Sequence, residues 1–227
     1  MCYTGAKERL AEVELLLGGL DLDPIHLLIR AIALLIGMTI HEFAHVYVAY
    51  RMGDNTGANQ GRLTLNPLVH INPIGFIMGV IIGFGFLGAA PISPYKMRNP
   101  RWGYLAAVAA GPISNLLIAI VFAIPLRLSP QLLYGSTFVS QLLFQIIFLN
   151  IILALFNIIP LFPLDGWSIM LSLLPADQAR WWQANQQNSY YLFMLLILLS
   201  FIGGQFNILG ILISQPSTQL FRILVGF

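Results

Sequence analysis

Charge is what this sequence lacks most: its 227 residues include 11 Lys or Arg and 9 Asp or Glu, 9% of the chain. An ordinary soluble domain is roughly 25% charged, about 55 residues at this length. So few charges cannot solvate a surface in water, which excludes a soluble enzyme, a disordered chain and a nucleic-acid binder. The net charge of +2 gives little pull toward an anionic partner. Cysteine is nearly absent. Cys2 alone permits neither an internal disulfide nor a thiolate metal cluster. The N-terminus is not expected to be a cleaved leader. Lys7 and Arg9 interleave with Glu8, Glu12 and Glu14, and no short apolar core with a small-residue cleavage site follows.

Apolar surface is what the chain has instead, at 58% hydrophobic residues, arranged in long runs. The expected fold is an all-α polytopic membrane protein with about four spanning helices, over about 25–52, 102–126, 139–160 and 189–213. Residues 3–20 mix charges with leucines and predict a short amphipathic helix lying on the bilayer. Asp23 and Pro24 read as the N-cap and first residue of the first span. Residues 61–66 alternate and predict a short strand. The apolar run 74–88 is too short for a span and holds Gly75, Gly79, Gly83, Gly85 and Gly88, which predicts a re-entrant hairpin. Trp102, Trp181 and Trp182 read as interface anchors. With 74–88 returning to its own side, the ends of the 25–52 and 139–160 spans share a face. That face carries Arg51, Arg62, Lys96, Arg98, Arg101 and Arg180, which favours it as cytoplasmic.

One constellation stands out inside the first span: His41-Glu42-Phe43-Ala44-His45. Residues four apart share a helix face, so both imidazoles can reach one Zn²⁺, with Glu42 able to reach a water on it. This is the H-E-x-x-H arrangement of zinc hydrolases. Ionisable groups in an apolar helix cost at least ~2.5–3.5 kcal/mol unless paired, and default to function. A catalytic zinc wants a third protein ligand. Most other carboxylates lie before the helix, just past its end, or in a polar loop beside Arg180. Asp165 differs, because it follows Pro160 and Pro163 at the broken end of a span. Irregular backbone at membrane depth is tolerated inside protein or around a wet cavity. Asn157 in that span either faces substrate or bonds a neighbouring helix. His70 is either a supporting group of the site or an ordinary loop histidine. Asn115, four residues after Gly111, reads as helix-crossing packing.

The His41–His45 motif together with Asn157 through Gly166 resembles the site-2 protease family of intramembrane zinc metalloproteases. Gly61 through Pro73, Asn99-Pro100-Arg101 and Ala110 through Asn115 are similar to stretches of its short prokaryotic members. The resemblance implies one zinc ion on His41, His45 and Asp165, Glu42 as catalytic base, and Asn157 holding substrate or oxyanion. It implies endoproteolysis in or near a transmembrane segment of a membrane-protein substrate; the basic shared face and the lack of an expected targeting segment suit a prokaryotic inner membrane with the site open to the cytoplasm. The expected organisation is an amphipathic segment at 1–24, one intramembrane metalloprotease domain over 25–213 and an interfacial tail at 214–227, with no appended regulatory domain. The competing readings are a membrane metal-binding or transport protein and an inactive relative that holds helices without cutting.

Overall fold

The computed structural model describes residues 22–82, 85, 90–129, 131–132, 137–202 and 207–226. The amphipathic helix expected at 3–20 lies outside them. Helix α1 runs Pro24–Arg51; the Asp23 side chain accepts from the amides of Ile25 (2.8 Å) and His26 (3.1 Å), with Pro24 at the first position. A carboxylate at this end satisfies amides that the helix leaves open. Short helices α2 (Thr56–Asn59) and α3 (Pro67–His70) follow, then α4 (Pro73–Ile82) and a single 3₁₀ turn, Pro94–Lys96. Helices α5 (Pro100–Leu128), α6 (Phe138–Ile158), α7 (Asp165–Leu173), α8 (Ala176–Ala184), α9 (Gln186–Ile202) and α10 (Ile208–Val225) complete the chain.

Helices α1, α5 and α6 pack on one another and form the frame. One buried cluster joins Ala33, Leu34 and Met38 of α1 to Ile118 of α5 and to Ile146 and Leu149 of α6. Another joins Ala119, Ala123 and Leu126 of α5 to Phe144, Ile147, Phe148 and Ile151 of α6, closed by Phe221 and Val225 of α10. The opposite surfaces stay apolar: Ile113, Leu117, Ile120, Val121 and Ile124 of α5 are all exposed. A long helix apolar on both its buried and its exposed face suits lipid rather than water.

Among the described residues, four helices are long and apolar enough to cross a membrane: α1, α5, α6 and α10. The fourth differs from the expected 189–213 span. That stretch is divided between α9 and α10. Residues 203–206, between them, lie outside the described residues. Asn207 then caps α10, its Oδ1 accepting from the Gly210 amide at 2.9 Å. Residues 214–225, expected in the tail, continue α10, because Ser217, Phe221 and Val225 form one buried stripe at four-residue spacing. The C-terminal ends of α10 and α5 meet, where Arg127 Nη1 donates to the Ile223 carbonyl at 3.5 Å.

The strand expected at 61–66 is not formed, and the described residues contain no strand. Side chains take the backbone groups a ladder would need. Thr64 Oγ1 accepts from the Asn66 amide (3.2 Å), Asn66 Oδ1 from the Leu68 amide (3.1 Å), and His70 Nε2 donates to the Thr64 carbonyl (2.7 Å). Within the run 74–88, α4 covers Pro73–Ile82, while 83–84 and 86–89 lie outside the described residues. Gly85 lies back against α4: a Cβ there would stand 2.9 Å from the Gly79 Cα. Arg30, buried in α1, donates to the Val80 carbonyl at 2.8 Å near the end of α4. After α1, Asp54 clasps the loops together. It accepts from the amides of Thr56 (3.0 Å) and Ser93 (2.6 Å). Burial pushes its carboxyl upward, but these hydrogen bonds outweigh burial and hold it below the usual range.

Candidate metal centre

His41, Glu42 and His45 lie on the C-terminal half of α1, about 10–15 Å of helix rise from its end by ~1.5 Å per residue. All three are 3–4% exposed. Asp165 opens α7, just past the break Pro160–Pro163 at the end of α6, and the packing brings it to both histidines. Asp165 Oδ2 stands 3.2 Å from His41 Nε2 and 3.3 Å from His45 Nε2, and the two Nε2 atoms are 3.0 Å apart. Three atoms on a common tetrahedral centre at ~2.0–2.1 Å stand about 3.3 Å from one another. The three side chains thus form a group able to hold a metal ion.

The hydrogen bonds behind the rings agree with that role. His45 Nδ1 faces the Ala107 carbonyl at 2.8 Å, and His41 Nδ1 faces Asn115 Oδ1 at 2.6 Å. Both acceptors are oxygens, so both Nδ1 atoms carry the proton. A ring held this way, when it bears no proton on Nε2, turns that lone pair toward the other ring and toward the Asp165 carboxylate. Three converging lone-pair donors repel one another unless a cation lies among them, and a fixed Nδ1–H is the usual support of a metal-ligating imidazole. The residues fit zinc.

Helix α5 sets the register of these parts. Gly111 makes room for the rings: a Cβ at that position would strike His45 Nε2 and the Cε1 atoms of both histidines. Gly111→Ala is therefore expected to displace the imidazoles and weaken zinc at least as much as losing a supporting hydrogen bond, about 10–100-fold. Chelator competition on the purified protein checks this, and an unchanged affinity would contradict so close an approach of Gly111 to the rings. Arg101 Nε donates to the Ser172 carbonyl (2.8 Å) and Nη2 to the Leu173 carbonyl (3.0 Å), capping the C-terminal end of α7. Tyr104 donates to Ser168 Oγ at 3.0 Å. Gly166 lets α7 start tight against α6, since a Cβ there would strike the carbonyl oxygens of Ile158 and Ile159. One helix thus carries the gap for the rings, a support for His41 and two holds on the segment bearing Asp165.

Glu42 lies beside this group. It interacts electrostatically with His45, His41, Asp165 and Arg62. Its Oε2 is buried without a hydrogen-bond partner among the described residues. Asn157 is half-buried on the last turn of α6 and donates to the Leu153 carbonyl at 2.9 Å. His70 is 2% exposed, held through Thr64, and stands outside the group of three. Asn115 does more than pack a helix crossing, because it bonds His41 directly. Asn150 has no reading from sequence, and Arg101 has only those of membrane sidedness and family resemblance. An amide inside the apolar run of α6 is the signal that points to Asn150. Trp182 is a docking residue rather than a plain anchor: it stacks on Trp167 at 4.4 Å and donates to that residue's carbonyl at 3.2 Å.

A membrane-type helical frame with an H-E-x-x-H helix and a carboxylate brought in from a Pro-broken span defines the class of membrane-embedded metallohydrolases. Similarity to known proteins gives the family. The profile of peptidase family M50 matches residues 133–201, the part that carries Asp165. YwhC of Bacillus subtilis strain 168, named for a zinc metalloprotease, is 39% identical over 174 residues, covering 74% of this chain and 78% of that protein. Rip2 of Mycolicibacterium smegmatis, with a name of the same kind, is 27% identical over 72% of this chain and 64% of its own. Zinc metalloprotease MJ0392 of Methanocaldococcus jannaschii is 29% identical over 63% of this chain and 33% of its own. No solved structure matches. The chain belongs to peptidase family M50, the site-2 protease family.

Proposed function

We propose that this protein is a zinc-dependent intramembrane endopeptidase that hydrolyses peptide bonds in or near transmembrane segments of other membrane proteins, in the manner of regulated intramembrane proteolysis. The observation that carries the reading is the convergence of His41, His45 and Asp165 beside a buried, unpartnered carboxylate oxygen of Glu42. His41, His45 and Asp165 would hold one zinc, which would supply a Lewis acid for the scissile carbonyl and for water near neutral pH. Glu42 takes the proton from the attacking water and returns it to the leaving amine as the carbon–nitrogen bond breaks. Asn157 supports the oxyanion, a contact worth ~2.7–4 kcal/mol per donor in other hydrolases. His70 has a supporting role, holding the loop after α1 through Thr64.

The substrate must unwind locally, because helical amides are bonded and shielded. Water must also reach a site set below the membrane surface. The glycine-rich segment after Pro73 and the break around Pro160 and Pro163 are the walls suited to admit both. The return of Gly85 against α4 supports a re-entrant hairpin at 74–88. The basic residues Arg51, Arg62, Lys96, Arg98 and Arg101 support a cytoplasmic opening of the site in a prokaryotic inner membrane. Single cysteines introduced at Asn59 and Asn99 are expected to label from the cytoplasmic side alike; labelling from opposite sides would discard the hairpin.

Incubating the zinc-loaded protein with a transmembrane peptide, with and without chelator, tests the function. Cleavage that the chelator stops and added zinc restores is expected. Zinc uptake without any cleavage, of this peptide or of a panel of them, would favour a metal-binding or transport protein.

A further inference from the structure

Asn150 is fully buried on α6, between apolar neighbours Leu149 and Ile151. An amide there must be partnered, because lipid and core offer it nothing. Its Nδ2 donates to the Ile146 carbonyl at 2.8 Å, and its Oδ1 accepts from Asn115 Nδ2, also at 2.8 Å. Asn115 Nδ2 donates to the Gly37 carbonyl at 3.1 Å as well, and Asn115 Oδ1 faces His41 Nδ1 at 2.6 Å.

The order of these bonds fixes their direction. A main-chain carbonyl only accepts, so the atom of Asn150 that faces Ile146 is its NH₂ group, and its oxygen faces Asn115. The atom of Asn115 that meets this oxygen and the Gly37 carbonyl is then its own NH₂ group. The Asn115 oxygen is left for His41, whose Nδ1 must carry the proton. Neither amide can flip without setting oxygen against oxygen. The space for this was left open on α1: a Cβ on Gly37, one turn before His41, would stand 2.8 Å from Asn150 Oδ1.

We propose that Asn150 is a positioning residue that acts through Asn115 to lock the His41 ring in its Nδ1–H form, with Nε2 presented to the ion. The proposal rests on the metal reading above and adds a remote determinant of zinc affinity that touches neither metal nor substrate. His45 is the internal control, since the Ala107 carbonyl fixes its ring independently.

The test uses the full chain in detergent, with two readouts: zinc affinity by chelator competition, and the Nδ1–H signals of His41 and His45 in protein carrying ¹⁵N-labelled histidine. Asn150→Leu is expected to weaken zinc about 10-fold or more, within the ~10–100-fold range of lost metal-site support. It should shift or abolish the His41 ring signal and leave that of His45 in place. Asn150→Asp, whose carboxyl can donate to Ile146 and accept from Asn115, is expected to restore both. Gly37→Ala, which crowds the Asn150 amide without removing it, should behave like Asn150→Leu and serves if the latter does not fold. Wild-type affinity and an unchanged His41 signal in Asn150→Leu would overturn the proposal. Equal disturbance of both rings would overturn it too, since that marks general loosening. A wild-type protein that takes up no zinc overturns the metal reading alone, because the ring signals are read with or without the ion.

Discussion

Glu42→Gln is expected to lower kcat for a transmembrane peptide by about 10²–10⁴, the usual contribution of a positioned general base, while zinc stays at one per chain. Glutamine keeps the shape of the side chain and removes its capacity to take a proton. The three atoms that converge belong to His41, His45 and Asp165, so the ion loses no ligand. Glu42 is 4% exposed, and the near-isosteric change adds no volume to the packing around it. Metal analysis and a peptide-cleavage assay on one preparation separate the two effects. Turnover at the wild-type rate would remove Glu42 as the base. Loss of zinc along with activity would move it from proton transfer to metal binding.

Asp165→Ala has the second large effect, and it falls on the metal itself. Removing the carboxylate leaves two imidazoles whose Nε2 atoms face each other at 3.0 Å, with no third ligand to complete the group. Loss of a supporting partner alone costs about 10–100-fold in affinity, so loss of a ligand is expected to exceed 100-fold. Zinc content after dialysis against chelator should fall from near one per chain to near zero, and cleavage with it. The fold should survive, because α7 is held to α5 by Arg101 and Tyr104 rather than by Asp165. Unchanged metal content in Asp165→Ala would falsify the assignment of Asp165 as third ligand.

Much of this is legible in the order of the amino acids. The scarcity of charge and the apolar runs give the membrane class, Asp23-Pro24 marks the start of α1, and helical spacing puts His41 and His45 on one face. Where sequence and structure part, local chemistry or a distant contact is the cause. Residues 61–66 alternate like a strand, yet Thr64 and Asn66 bond neighbouring backbone, so the segment never seeks a partner. Residues 189–213 read as one span because their apolar composition is continuous, whereas α10 starts at Ile208 on the Asn207 cap and runs on to Val225. Residues 214–225 have the composition of an interfacial tail, but Phe221 and Val225 fill a gap between α5 and α6. Asn115 can be placed at a helix crossing from its spacing to Gly111. Which helix it crosses, and that His41 waits there, depends on a residue 74 positions away.

The sequence by itself determined the solvent, the helical frame and the identity of the metal-seeking side chains, because each follows from composition or from spacing within one turn. Tertiary structure alone brought Asp165 Oδ2 to 3.2 and 3.3 Å from the two imidazoles, set Gly111 where a Cβ would strike both rings, and bonded Asn150 to Asn115 and Asn115 to His41. Those facts depend on atoms brought within about 3 Å from separate helices, a distance that no periodicity in a single segment encodes.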